Sequence, residues 1–172
     1  MFNMQICFDT SLKSVFKRVN GLSSRDGSFP VFLFWSTIAS TNLAKTALSL
    51  GEKNIPVYST GGKLREFSYS FIGDTAKNLI RNFHGNILFF SCRCISQDLS
   101  LYDSSEDEAE LRKVMMQICD KAVLLCDSSK FNQKSFYKIC DFSNIDYLIT
   151  NKKPESNLIA GIQDFGCEVI WE

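Results

Sequence analysis

The chain has 172 residues, 45% of them hydrophobic and 15 of them Phe, which is enough for one packed core and too apolar for disorder. Nineteen basic and nineteen acidic side chains cancel; with no basic surplus and no long basic run, the chain is a poor grip for nucleic acid by itself. No charged segment leading into an apolar one opens it, and no run of about eighteen apolar residues occurs, so neither a secretion signal nor a membrane span is expected and a cytoplasmic location follows.

Gln5–Phe8 reads as a strand and Leu12–Val19 as a helix, with Leu12, Val15, Phe16 and Val19 on one face. Residues 21–30 form a loop, rich in turn residues. Val31–Trp35 reads as a strand, and Ala39–Leu50 as a helix that stops at Gly51. Pro56–Tyr58 is a short strand, Asp74–Phe83 a helix and Ile87–Phe90 a buried strand. Ser105-Glu106-Asp107-Glu108 has the capping-box pattern and opens a helix to about Cys119. Ala122–Cys126 and Ile145–Thr150 are strands, Pro154–Phe165 is a helix with Pro in its first turn, and Cys167–Ile170 is a last strand after Gly166. This alternation predicts a single α/β domain over residues 1–172: an open, mostly parallel sheet with helices on both faces, a Rossmann-like three-layer sandwich.

Seven cysteines are an odd set without C-x-x-C spacing. Cys7 and Cys126 sit in apolar strand runs, where a thiol behaves as a small hydrophobe, so reduced core cysteines are expected. Cys92 and Cys94 with His84 offer too few well-spaced ligands for a metal. Neither a metal nor a cofactor is expected.

Open parallel sheets bind ligands beyond the carboxyl ends of their strands, near a switch in strand order. Asp9-Thr10-Ser11 follows the first expected strand, Ser36-Thr37 the second and Ser59-Thr60-Gly61-Gly62-Lys63 the third. Ser91-Cys92-Arg93, Asp127-Ser128-Ser129-Lys130 and Thr150-Asn151-Lys152 follow the next three. Hydroxyls, small residues and cations recur at one edge, with helix N-termini nearby, and that combination suits an oxyanion such as phosphate. Lys130 would supply charge and the adjoining serines donors. Each loop by itself also fits ordinary capping and turn chemistry: Glu108 pairs naturally with Ser105 in a capping box, and a lone Lys130 would be a solvated lysine. Repetition across loops carries the ligand reading.

The ordered motifs resemble the carboxy-terminal effector-sensing domain of DeoR-type transcriptional regulators. Ile6-Cys7-Phe8-Asp9-Thr10-Ser11 resembles the family's strand ending in D-S-G-T-T. Thr60-Gly61-Gly62-Lys63-Leu64-Arg65 with Ser70-Phe71-Ile72-Gly73 resembles T-G-G-x-L-R and S-x-x-G, and Glu108–Met115 the E-A-x-x-K-R-x-M helix. Leu125–Phe131 is similar to the D-x-S-K-F signature and Ile145–Thr150 to I-D-x-x-I-T. The resemblance implies a fold akin to ribose-phosphate isomerases and CoA transferases, and a non-enzymatic repressor domain controlling sugar-metabolism genes. It implies a phosphorylated sugar as partner, with Asp9, Thr10 and Ser11 contacting it, Ser36 near its phosphate, Thr60 and Gly61 in the same loop set, Lys130 paired with its charge, and Glu108 and Arg112 lining the other side. Leu12, Trp35 and Cys94 stand where the family keeps small or polar residues. The family's winged-helix DNA-binding domain does not fit in the four residues before the first expected strand, so DNA contact is expected only through a domain missing from this chain.

Two other classes compete. A sugar-phosphate isomerase would need a positioned carboxylate base, but the loop after the fourth expected strand offers Arg93 and no acid before Asp98. A degenerate domain kept for dimerisation is the third reading. Phe2, Phe67, Tyr69 and Phe71 fall in stretches without a clear buried face, which points to a homo-oligomer.

Overall fold

Strand-forming runs in this chain are short, and their order decides the architecture. The computed structural model describes residues 39–171 except residue 53. The elements expected at Gln5–Phe8, Leu12–Val19 and Val31–Trp35, and the candidate residues Asp9, Thr10, Ser11 and Ser36, lie outside the described residues.

β1 (Ala39–Thr41) pairs in parallel with β2 (Val57–Ser59), and α1 (Ala44–Gly51) connects them. β3 (Lys63–Arg65) and β4 (Ser70–Ile72) form an antiparallel hairpin, followed by α2 (Asp74–Ile80). β5 (Gly85–Phe90) starts the main sheet; β6 (Cys94–Ile95) and β7 (Ser100–Asp103) leave it for an antiparallel sheet. α3 (Glu106–Gln117) returns the chain to β8 (Cys119–Leu125). β9 (Tyr137–Asp141) joins β7, and β10 (Tyr147–Thr150), α4 (Ser156–Asp164) and β11 (Glu168–Trp171) complete the fold. The main sheet is parallel throughout, in the order β11-β10-β8-β5. An open α/β architecture with a parallel sheet is therefore what this chain forms. Within these four strands the order follows the sequence, so they contain no order reversal.

Strand alternation divides the apolar residues into two faces. Leu88, Phe90, Ala122, Leu124, Leu148 and Val169 point to one face, where Ala109 and Met116 of α3 and Ile162 of α4 pack on them. Phe142, fully buried, fills this core from the 3-10 turn after β9. Ile87, Phe89, Val123, Leu125, Tyr147, Ile149 and Ile170 gather on the other face. A second cluster joins Ala76 and Ile80 of α2 to Leu111, Val114 and Met115 of α3.

The helix expected over Ala39–Leu50 is corrected at its start. Ala39–Thr41 is a strand and the helix begins at Ala44. Two pairings claim the segment: β2 on one side, and the β3–β4 hairpin through Phe71 N–H to Asn42 O at 2.7 Å and Ala44 N–H to Tyr69 O at 2.9 Å. Ser40, Thr41 and Asn42 are poor interior helix residues whose side chains favour local bonds, and Thr41 Oγ1 accepts from Leu43 N–H at 3.1 Å. The capping box is corrected as well. Ser105 is the N-cap of α3 but makes no side-chain cap bond. Asp103 serves instead, its Oδ1 accepting from Ser104 N–H at 2.7 Å and Ser105 N–H at 3.1 Å.

The turn into the hairpin needs glycine at Gly62. Its φ is +102°, and a Cβ there would stand 2.7 Å from Ile72 O and 3.3 Å from Ala76 N. Gly62→Ala is expected to destabilise the fold by about 2 kcal/mol or more, from the left-handed backbone and the clash with fixed backbone atoms. The urea midpoint measures it; a variant within 0.5 kcal/mol of the parent, an ordinary surface effect, would mean the hairpin yields freely.

Candidate functional site

Glu108 and Arg112 lie four residues apart on α3 and so share one helix face. That face meets the β3–β4 hairpin and the end of β7. Glu108 Oε1 accepts from Arg65 Nη1 at 3.0 Å, Ser68 Oγ at 2.7 Å and Ser70 Oγ at 2.9 Å. Its Oε2 accepts from Arg112 Nη2 at 2.8 Å, and Arg112 Nη1 donates to Asp103 Oδ2 at 2.8 Å. Two carboxylates and two guanidinium groups thus form a closed cluster of zero net charge. The Glu108 side chain is 7% exposed. Burial by itself would raise its pKa; the Arg112 charge and the hydroxyls of Ser68 and Ser70 overcome that and hold it at about 2.

The second group of polar residues sits at the carboxyl ends of β5, β8 and β10. Lys130 is half-buried, and its Nζ donates to Ser91 Oγ at 2.9 Å and Cys92 O at 3.0 Å. Both acceptors are neutral, and Lys130 makes no ion pair with the carboxylates of the described residues. An ammonium has three donors, so one remains beyond these two contacts. The preceding turn is held by Asp127 within it and by Asn151 from the end of β10. Asp127 Oδ1 accepts from Ser129 N–H at 3.0 Å and from Ser129 Oγ, and Asn151 Oδ1 accepts from Ser128 N–H at 2.9 Å. Burial pulls Asp127 upward, but the Ser129 bonds and the Lys130 charge win and keep its carboxyl below the usual range. At the end of β10, Thr150 Oγ1 is buried and has no hydrogen-bond partner among the described residues.

The structure brings several expected residues together. Glu108 and Arg112 bond to each other rather than standing free. Lys130 meets the loop after β5. Cys92 lies between the two groups, close enough to feel the charges of Lys130, Arg112 and Asp103. Thr60 is 1% exposed at the end of β2, its N–H donating to Thr41 O at 3.2 Å. Gly61 N–H donates to Ser59 Oγ at 3.4 Å, with φ at +59°. Arg65, Ser68 and Asp103 are not among the expected site residues, whereas Ser91 and Thr150 fall in the strand-end loops that the sequence marks. The signal for Asp103 was present: an acid just ahead of a Ser-Ser helix start is a ready cap. Among the described residues no group of three or more His, Cys, Asp or Glu is placed to hold a metal, and no helix is long and apolar enough to cross a membrane.

The family model described as the DeoR C terminal sensor domain matches residues 36–152. A protein assigned as the aga operon transcriptional repressor of Escherichia coli O157:H7 is 35% identical over 134 residues, 77% of this chain and 50% of its own length. The HTH-type transcriptional regulator YulB of Bacillus subtilis is 35% identical over 125 residues, 72% of this chain and 48% of its own. The L-fucose operon activator of Haemophilus influenzae is 28% identical over 122 residues, 71% of this chain and 49% of its own. The chain spans about half the length of these relatives.

Glu108→Gln should test the closed cluster. A carboxyl held at about 2 when folded and near 4.5 when unfolded adds stability that is fully present above pH 4.5 and lost as the pH falls toward 2. The variant should lose roughly 3 kcal/mol at pH 7, and the gap from the parent should close on acidification. Urea titrations at pH 7 and pH 3 measure this; a gap that stays constant with pH would deny Glu108 its ionised role.

Proposed function

The chain belongs to the DeoR C-terminal sensor-domain family, and we propose that it is the effector-sensing part of a transcriptional repressor, responding to a phosphorylated sugar or a related metabolite. The observation that carries this reading is Lys130. It is a half-buried ammonium held by neutral acceptors, at the strand-end edge where open parallel sheets place their ligands. Every other cation of the inner cluster, Arg65 and Arg112, is already matched by Glu108 and Asp103. The buried hydroxyl of Thr150, without a partner among the described residues, adds a polar atom at the same edge. One relative is named for control of an L-fucose operon, which agrees with a sugar-derived effector.

Binding is favoured over catalysis by the state of the acids. Glu108 and Asp103 are locked in ion pairs, and Asp127 is occupied by Ser129, so none of these three is free to act as a general base. In the whole protein, DNA contact belongs to a separate winged-helix domain. The assembly is a cytoplasmic homo-oligomer, and the exposed rings of Phe67 and Tyr69 beside Leu64 form a suitable contact surface.

A panel of sugar phosphates, scanned by thermal denaturation, tests the reading. At a hundredfold excess over its dissociation constant, the true effector stabilises by about 2.7 kcal/mol, a midpoint rise of roughly 5–10 °C for a domain of this size. The unphosphorylated sugar should give little of this, because the charge-assisted bonds go with the phosphate. Lys130→Ala should abolish most of the rise, read against the variant's own unliganded midpoint, which the loss of the bonds to Ser91 and Cys92 lowers. Equal responses from parent and variant would remove Lys130 from the site, and no response to any phosphate would favour the pure dimerisation domain.

A further inference from the structure

Six cysteines are described, all as free thiols, and two of them are placed differently from the rest. β5 and β8 pair in parallel with Phe90 opposite Leu124. Two residues further along each chain stand Cys92 and Cys126. Alternation aims both at the α3-α4 side of the sheet, where both join the main core, 4% and 3% exposed. Neighbouring strands run about 4.8 Å apart, inside the Cα separation of roughly 4.4–6.8 Å that a disulfide requires. The two thiols are close enough to perturb each other's titration, and the Cys126 S–H donates to Asp127 O at 3.7 Å.

We propose that Cys92 and Cys126 are a peroxide-responsive thiol pair that closes to an intrachain disulfide and, resting on the effector reading above, withdraws the Lys130 edge from ligand binding. The pair is chemically asymmetric. The hydrogen bond from Cys126 and the charges of Lys130 and Arg112 lower the Cys92 thiol, against its burial. The same bond and burial push Cys126 up. Cys94, Cys119, Cys140 and Cys167 are all pushed up by burial, Cys140 and Cys167 to about 12. The Lys130 ammonium sits against Cys92, bonded to its carbonyl at 3.0 Å, so a thiolate is better matched at Cys92, which takes the part of the nucleophile and leaves Cys126 as the resolving thiol.

The step balances with a hydroperoxide as the oxidant. The Cys92 thiolate attacks the terminal peroxide oxygen; the O–O bond breaks, a sulfenic acid forms, and the leaving oxygen takes a proton and departs as water or an alcohol. The Cys126 sulfur then attacks the Cys92 sulfur; the S–O bond breaks and water leaves with the Cys126 proton. The two thiols lose two electrons and the peroxide gains them. Closing the bridge draws the sulfurs to about 2.05 Å. Ser91-Cys92 and Asp127–Lys130 follow, because Cys126 immediately precedes that turn and Lys130 Nζ is held by Ser91 Oγ and Cys92 O. The Lys130 ammonium is thereby moved from its present position at the strand ends, which is how the bridge would alter phosphate binding.

Intact-protein mass spectrometry on the full chain, treated with hydrogen peroxide and then with dithiothreitol, reads the first half of the proposal. The expected result is a loss of two hydrogens, reversed by the reductant, with peptide mapping joining Cys92 to Cys126. Cys92→Ser and Cys126→Ser should each abolish it, and Cys140→Ser should keep it. A bridge to another cysteine, oxygen adducts alone, or no change overturns the pair; mapping the parent needs no variant to fold. Thermal shift with the sugar-phosphate panel reads the second half: the reduced protein should respond and the oxidised protein should not. Equal responses in both forms overturn the gating alone. A mapped disulfide with no response in the reduced form overturns the effector reading and the gating with it, and leaves the thiol pair standing.

Discussion

The Glu108 carboxylate is the constraint on which the rest of the described structure depends. Its two oxygens receive four donors from two separate parts of the chain: Arg65, Ser68 and Ser70 of the hairpin, and Arg112 of its own helix. Through Arg112 the contact extends to Asp103, which caps that helix and ends β7. A buried ion pair gains little by itself, since desolvation opposes the attraction. What it supplies here is position. The hairpin has almost no core of its own, with Leu64, Phe67 and Tyr69 exposed, so its place against α3 is set by directional bonds more than by apolar burial.

The parallel sheet was legible in the sequence because its strands are continuous apolar runs separated by amphipathic helices. Val123, Leu124 and Leu125 are buried from both faces, which is why no alternation shows. The antiparallel strands were not legible. β6 is two residues long, β7 carries a register shift between Leu101 and Tyr102, and β3 and β4 are three residues each. None is long enough to display a period, and their pairing is fixed by tertiary contacts. The same limit explains the start of α1. Ala39–Leu50 satisfies a helical pattern, yet Ala39–Thr41 pairs with β2 and Asn42–Ala44 with the hairpin, partners that a single-segment reading cannot see.

The candidate site was half legible for a similar reason. Residue types that favour turns also favour anions, so the strand-end loops were identified without their internal bonds. The structure sorts them. Ser128 and Ser129 spend their N–H groups on Asn151 and Asp127, whereas Lys130 reaches across to the neighbouring strand end. Glu108 matched a capping box in sequence, but the side-chain partner of the helix start is Asp103, and Glu108 turns inward. A local motif with a local explanation was recruited to a contact more than thirty residues away in the chain, to Ser68 and Ser70.

The strand order of the main sheet also bears on how the chain assembles during synthesis. β5, β8, β10 and β11 lie side by side in the order in which they are made. No strand has to be threaded between two that are already paired, and the sheet can lengthen by addition at one edge as each segment emerges. Early assembly and the final sheet therefore share their contacts, and each new strand is templated by the one before it. The growing edge is open only while the connecting segment and the next strand are translated, which limits the interval in which its unpaired backbone could meet another chain.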